Sequence, residues 1–269
     1  MKERILITVK TYPTISKAYS ELVCTAGVRE DGSWIRIYPV PFRKLYDKYK
    51  KYQWVEAEVI NNKADKRRES HKLLSPDSIM LLDTLGTSNE WYERKQYILE
   101  KGDVFRDLDR LIQLNKEGKL SLATFKPAKI IDMLVEEVDR EWDKRKIDFL
   151  KEQAKQGDLF DVTPEYFQVV NKLPYKFSYK LIDEKGKEST MMVEDWELGA
   201  LYWNCLHSHN GCEEKAIEDV RNKYINDFSE TKDLYLFLGT TLKYDGWAQN
   251  PFVIIGTFTP PIQLQQSLF

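Results

Sequence analysis

The sequence predicts an α+β protein, and three observations carry that prediction. A chain of 269 residues that is 42% hydrophobic and 31% charged has the composition of a soluble globular protein. β-rich runs broken by turn residues fill roughly the first 60 positions, the pattern of a small curled sheet, or partial barrel, with helices beside it. Later, a pair of helical stretches stands between apolar runs suited to central strands, so a second α+β unit is expected. The expected division is 1–160 for a basic N-terminal sheet with a helical region, 161–258 for a C-terminal α+β domain, and 259–269 for an extended tail.

In chain order, Ile5-Leu6-Ile7-Thr8-Val9 reads as a short buried strand, ended by Thr11-Tyr12-Pro13-Thr14. Leu22–Val28 and Trp34–Tyr38 flank Glu30-Asp31-Gly32-Ser33, and Asp-Gly between two β-rich runs predicts a hairpin because glycine accepts the positive φ of the turn. In the second strand, Trp34, Arg36 and Tyr38 share one face and the core-facing Ile35 and Ile37 the other. A helix is expected over Arg43–Lys51, a half-buried strand over Gln53–Ile60, and a polar basic loop over 61–75. Helices follow at Glu90–Glu100 and Val104–Lys116, the latter with a stripe of Phe105, Leu108, Leu111 and Ile112. Strands are expected at Leu122–Phe125 and Lys129–Val135, and a charged helix at Arg140–Gln156. Tyr175–Ile182 and Glu188–Val193 read as strands, Asp195–His207 and Glu213–Phe228 as the helical pair, and Leu234–Leu238 and Phe252–Gly256 as central strands.

The net charge of -2 conceals an asymmetry. Residues 1–72 hold 16 Lys/Arg against 9 Asp/Glu, a net of +7, while the remainder holds 25 against 34. A basic first quarter on an otherwise acidic chain favours one surface that faces nucleic acid. Three cysteines without framework spacing suit a reducing cytoplasm. Neither a signal peptide nor a membrane-length apolar stretch is expected, so no membrane partner is either.

The nucleic-acid candidates cluster between Tyr38 and Tyr52, where rings that can stack on bases alternate with cations that neutralise phosphates. They are Arg43, Lys44, Tyr46, Lys48, Tyr49, Lys50 and Lys51, with Arg36 on the preceding strand and Lys66, Arg67 and Arg68 extending the patch. Cys205-Leu206-His207-Ser208-His209-Asn210-Gly211-Cys212 gathers zinc-type ligands, but Cys205 and His207 point to different sides of a helix, and no metal or other cofactor is assigned. Asp77 with Glu93 and Lys95 mimics the acidic pair plus lysine of metal-dependent nucleases, yet that chemistry wants Glu93 and Lys95 on a strand and the sequence reads as helix there. No catalytic residue is assigned. A metal-dependent nuclease or other nucleic-acid-processing enzyme is the alternative reading, and a small-ligand or protein-interaction module using Trp34, Tyr38 and Trp54 is a third.

Past the proline-broken stretch Thr259-Pro260-Pro261, the sequence ends in Gln265-Gln266-Ser267-Leu268-Phe269. This peptide resembles the short motif by which bacterial DNA polymerases, mismatch-repair proteins and replication regulators dock on the sliding clamp: Gln, any residue, Ser or Asp, then Leu-Phe. The resemblance implies that Gln265, Leu268 and Phe269 contact the clamp, the apolar pair filling a pocket with nothing downstream to fold over it. Burying that pair yields roughly 3–6 kcal/mol, below the 8 kcal/mol or so of a micromolar complex, so a second contact is needed. Gln156-Gly157-Asp158-Leu159-Phe160 fits the same pattern and is a second candidate. The stretch from Thr11-Tyr12-Pro13 through Ile37-Tyr38-Pro39-Val40-Pro41-Phe42-Arg43 is similar to uncharacterised bacterial proteins, with no activity attached. Together these features lead to the expectation of a cytoplasmic, nucleoid-associated bacterial or phage protein that is tethered to the clamp and touches nucleic acid through its basic N-terminal surface, in a role such as policing replicating DNA or phage defence.

Overall fold

The computed structural model describes residues 1–16, 20–41, 49–155 and 169–262, and these adopt the expected mixed α+β class. The division expected near residue 160 and the 156–160 peptide lie outside the described residues, as do 42–48 and the tail from 263.

The N-terminal sheet closes on itself. Strands β1 (Lys2–Lys10), β3 (Ser20–Val28), β4 (Trp34–Pro41), β6 (Ser70–Leu73) and β5 (Gln53–Asn61) pair in that order, and β5 returns to β1. The pairings are antiparallel except β4–β6, which is parallel. Short strand β2 (Thr14–Ser16) adds to β3, and β7 (Met80–Thr84) adds to β5. Ile5, Ile7, Ile35, Ile37, Val55, Ala57 and Val59 fill the interior, as their two-residue alternation predicts. The hairpin turn forms at Gly32 with φ +84.

Helix α1 (Ser88–Lys95) runs into a π-helical turn at Gln96–Glu100. The helix expected from Val104 instead begins at Leu108: β8 (Val104–Phe105) is a strand, and the Asp107 side chain caps α2 (Leu108–Lys116) by accepting from the Arg110 N–H at 3.0 Å. β9 (Leu122–Phe125) pairs with β8 and with β13 (Tyr235–Thr240), which in turn pairs with β14 (Phe252–Phe258). β10 (Lys129–Glu137), β11 (Tyr175–Ile182) and β12 (Glu188–Met192) form a third, antiparallel sheet. Residues 104–137 therefore pair with strands late in the chain, not with the barrel.

Helix α3 (Lys144–Lys155) follows β10, and the helical pair is α4 (Trp196–Ser208) and α5 (Glu213–Arg221). Phe177, Tyr179, Leu198, Tyr202, Val220 and Leu236 are among the residues of the core between these helices and the two later sheets. The loop expected over 61–75 contains β6, a correction with a clear cause. The strand is polar, yet it lies between β4 and β5, so its backbone hydrogen bonds go to neighbours distant in sequence. Thr11 bridges to Asp195, joining the end of β1 to the start of α4 across the junction of barrel and second unit.

Candidate nucleic-acid interface

The junction is where cations and rings converge. Lys51 and Tyr52 lead into β5, and Tyr52 holds φ +62, unusual for a bulky residue. Its N–H donates to the Ile7 carbonyl at 2.6 Å and its carbonyl accepts from the Leu85 N–H at 2.8 Å, so the surrounding strands fix this conformation. The Lys51 ammonium then crosses the junction. It donates to Glu197 Oε2 at 2.6 Å and the Thr257 carbonyl at 3.3 Å, with Asp195 Oδ2 4.0 Å away.

This pairing shapes the electrostatics. Burial opposes the charge on Lys51, but Asp195, Tyr52 and Glu197 outweigh it and the pKa of Lys51 is raised. Burial pushes Asp195 up to about 7 against the pull of Lys51, and burial is also the main reason that Tyr52 rises to about 12. Asp195 Oδ1 accepts from the Glu197 N–H at 3.1 Å and so caps α4, whereas its buried Oδ2 has no hydrogen-bond partner among the described residues.

Beyond Lys51 opens a cleft of about 540 Å³. The Arg94 guanidinium lies 4.0 Å from the centroid of Tyr52 and 4.9 Å from that of Trp91, anchored by bonds of 3.0 and 2.7 Å to the Leu85 carbonyl. Trp91 packs 5.6 Å from Phe258. Lys223 and Lys232 line the same cleft, and Asp227 meets them at 2.5 and 3.9 Å. On the other side of Lys51 a cavity of about 290 Å³ is lined by Lys10, Lys50, Asp195 and Trp196. Six cations thus meet three carboxylates, Asp195, Glu197 and Asp227, beside aromatic faces.

The expected site residues divide. Lys50 is exposed and Lys51 part-buried in this junction, while Lys66 and Arg68 are exposed elsewhere, Arg68 in a groove with Arg29 and Lys119. Arg43, Lys44, Tyr46 and Lys48 lie outside the described residues, as do Gln265, Leu268 and Phe269. Arg36, Arg67 and Tyr49 correct the expectation of an exposed basic face, since all three are buried. The outer face of β4 is covered by the second unit, and Arg36 donates to Ser121 Oγ at 2.7 Å and to its carbonyl at 3.1 Å. Arg67 pairs with Asp65 at 2.6 Å and binds the Thr240 carbonyl; although burial works against it, bonds from Arg67 and Ser70 hold the Asp65 carboxyl below its ordinary range. The Tyr49 hydroxyl meets Thr25 Oγ1 at 2.6 Å.

Sequence reasoning missed Lys10, Trp91, Arg94, Lys223 and Lys232, which come from four separate segments. Only the pairing of Trp91 with Arg94 three residues on, one face of a helix, hinted at them. His209 bonds Asp219 at 2.7 Å, and Asp77 sits in a short 3₁₀ turn while Glu93 and Lys95 are on α1. Among the described residues no three His, Cys, Asp or Glu side chains gather as a metal site. Nor does any described helix have the length and apolarity to cross a membrane.

Fold and junction define an α+β protein with a closed five-stranded N-terminal barrel joined to a two-sheet second unit through a basic, aromatic seam. Residues 1–100 match the domain of unknown function DUF8758 and residues 102–269 the domain of unknown function DUF8757; the latter spans more than half of the chain, which belongs to that family. No curated protein matches. A solved structure of a murine DNA-binding protein bound with double-stranded DNA aligns over 99% of this chain and 98% of its own, at a TM-score of 0.30 and 7% identity. That likeness is too distant to transfer either fold or ligand.

Proposed function

We propose that the protein binds nucleic acid along the junction cleft and is brought to replicating DNA by a Gln265–Phe269 peptide docked on the sliding clamp. The observation that carries the nucleic-acid part is the convergence of Arg94, Lys223 and Lys232 on one open cleft with the ring of Trp91. Cations of this kind neutralise phosphates and aromatic faces accept bases without regard to sequence, so the cleft suits a strand and not a base-reading helix. The clamp part rests on the peptide's resemblance and on energy: Leu268 and Phe269 supply roughly 3–6 kcal/mol, and a second contact on the DNA itself would make the tether effective.

The test is binding of the full chain to single- and double-stranded oligonucleotides across a salt series. Replacing Arg94, Lys223 or Lys232 by Ala is expected to weaken binding and to reduce the slope of log affinity against log salt by about one per lost phosphate contact. Binding that keeps its affinity and salt slope in the triple variant overturns the cleft assignment.

A further inference from the structure

Behind the Thr11–Asp195 bridge, on the side away from Lys51, lies a separate cavity of about 290 Å³ whose walls include Cys24, Arg36, Tyr38, Arg67, Glu194 and Thr241. That volume is about ten water molecules, the size of a single flat ring system and too small for a chain of residues. Its two arginines are committed: Arg36 donates to Ser70 and Ser121, and Arg67 donates to Asp65 and the Thr240 carbonyl. They are therefore not free to receive a phosphate. Two further wall residues, Glu194 and Thr241, have side chains that make no hydrogen bond among the described residues. The Glu194 backbone is satisfied, its N–H donating to the Ile254 carbonyl at 2.7 Å and its carbonyl accepting from the Tyr12 N–H at 2.8 Å. Its carboxyl has no hydrogen-bond partner among the described residues, and burial raises its pKa. Thr241 Oγ1 is buried in the wall with no partner among the described residues, and a turn about χ1 is what brings it to a ligand. Unpaired polar groups in a cavity cost free energy until something polar meets them.

A carboxyl accepts from exocyclic amino and ring N–H groups, as when an acidic side chain reads the amino group of cytosine, and a hydroxyl both donates and accepts. The half-buried Tyr38 adds an aromatic surface to the same wall. We propose that this cavity is a pocket for a nucleobase, its hydrogen-bonding edge held by Glu194 and Thr241 and its ring packed against Tyr38. The base could be supplied by a free nucleoside or turned out of a strand. The strand source rests on the nucleic-acid reading of the cleft; the free source does not.

The experiment has two arms, both on the full chain. In the first, free bases and nucleosides are titrated by calorimetry and saturation-transfer NMR. In the second, oligonucleotides carrying 2-aminopurine are added, the fluorescence of which rises when the base leaves its stack. Saturable binding in either arm, weakened about tenfold or more by Glu194→Gln and also reduced by Thr241→Val, supports the pocket and names its source. Arg94→Ala is expected to leave free-base affinity unchanged while weakening strand binding. Because Glu194→Gln and Thr241→Val keep the side chain's outline, a melting temperature that does not fall shows that the lost binding is not lost folding. The pocket assignment is overturned if no base or nucleoside binds at about 1 mM and 2-aminopurine stays dark on any strand that does bind, or if Glu194→Gln binds as well as the parent. Should strands fail to bind at all, the cleft reading falls while the free-base arm still decides the pocket.

Discussion

Asp195 uses its two oxygens differently, one as a helix cap and the other as a buried, unbonded acceptor near Lys51. Because burial lifts its pKa from an ordinary carboxylate value to about 7, the folded protein holds a proton there that the unfolded chain releases from about pH 4 upward. The sign is that this group's contribution to stability falls as pH rises through that window and stays low above pH 7. Asp195→Asn keeps the cap, since Asn caps as well as Asp. The variant should therefore gain on the parent between pH 5 and pH 8, at about 1.4 kcal/mol per pH unit within the window, measured by denaturant unfolding at the two pH values. A difference independent of pH would show that Asp195 titrates normally. Tyr12 gives a second prediction at this scale. Its ring stacks on Trp196 at 5.5 Å, its hydroxyl accepts from Trp203 Nε1 at 2.8 Å and donates to the Asn171 carbonyl at 2.6 Å, and a Cβ at Gly199 would sit 2.3 Å from it. Gly199→Ala should destabilise by about 1–3 kcal/mol in spite of alanine's better helix propensity, read as a lowered Tm.

Among the elements, α1 departs most from what its sequence suggests. The run Glu90–Glu100 reads as ordinary helix, yet Asn89, Glu90 and Trp91 hold φ of +48, +53 and +65. A left-handed residue with a Cβ costs about 1–2 kcal/mol, and nothing in the local sequence announces it. Glu90→Gly should raise stability by up to about 1 kcal/mol, after the extra unfolded-state freedom of glycine is subtracted; a lower melting temperature would contradict this account. Elements with local causes were legible: the barrel's alternating strands, the Asp-Gly hairpin and the helical pair all appear where the pattern places them. Those missed depend on distant partners. β6 is polar and exists because β4 and β5 flank it, and Phe105 fits a helical stripe but pairs opposite Phe125 in a strand. The Asp107 cap was a readable signal for the later helix start.

For the whole molecule, the site was legible only in part. Of the cations that charge and aromatic spacing single out, Lys50 and Lys51 stand at the junction, but composition cannot say which arginines the second unit covers, and it covers Arg36 and Arg67. If tail and cleft act as two contacts of one tether, deleting 265–269 should abolish capture by purified clamp and leave oligonucleotide affinity within about twofold. Clamp capture that survives the deletion would move attention to Gln156–Phe160. The segment Val193–Asp195, bridged on one side to Ile254 and on the other to Thr11, also sorts chemistry by parity. Consecutive side chains of extended backbone point opposite ways, so Glu194 lies toward the second cavity and Asp195 toward the seam. A single residue inserted ahead of Glu194 would leave composition and charge untouched apart from that residue, yet put the newcomer beside the cavity and turn Glu194 toward the seam. The partition between them is thus written in the counting of the chain, and length here is constrained as tightly as residue identity.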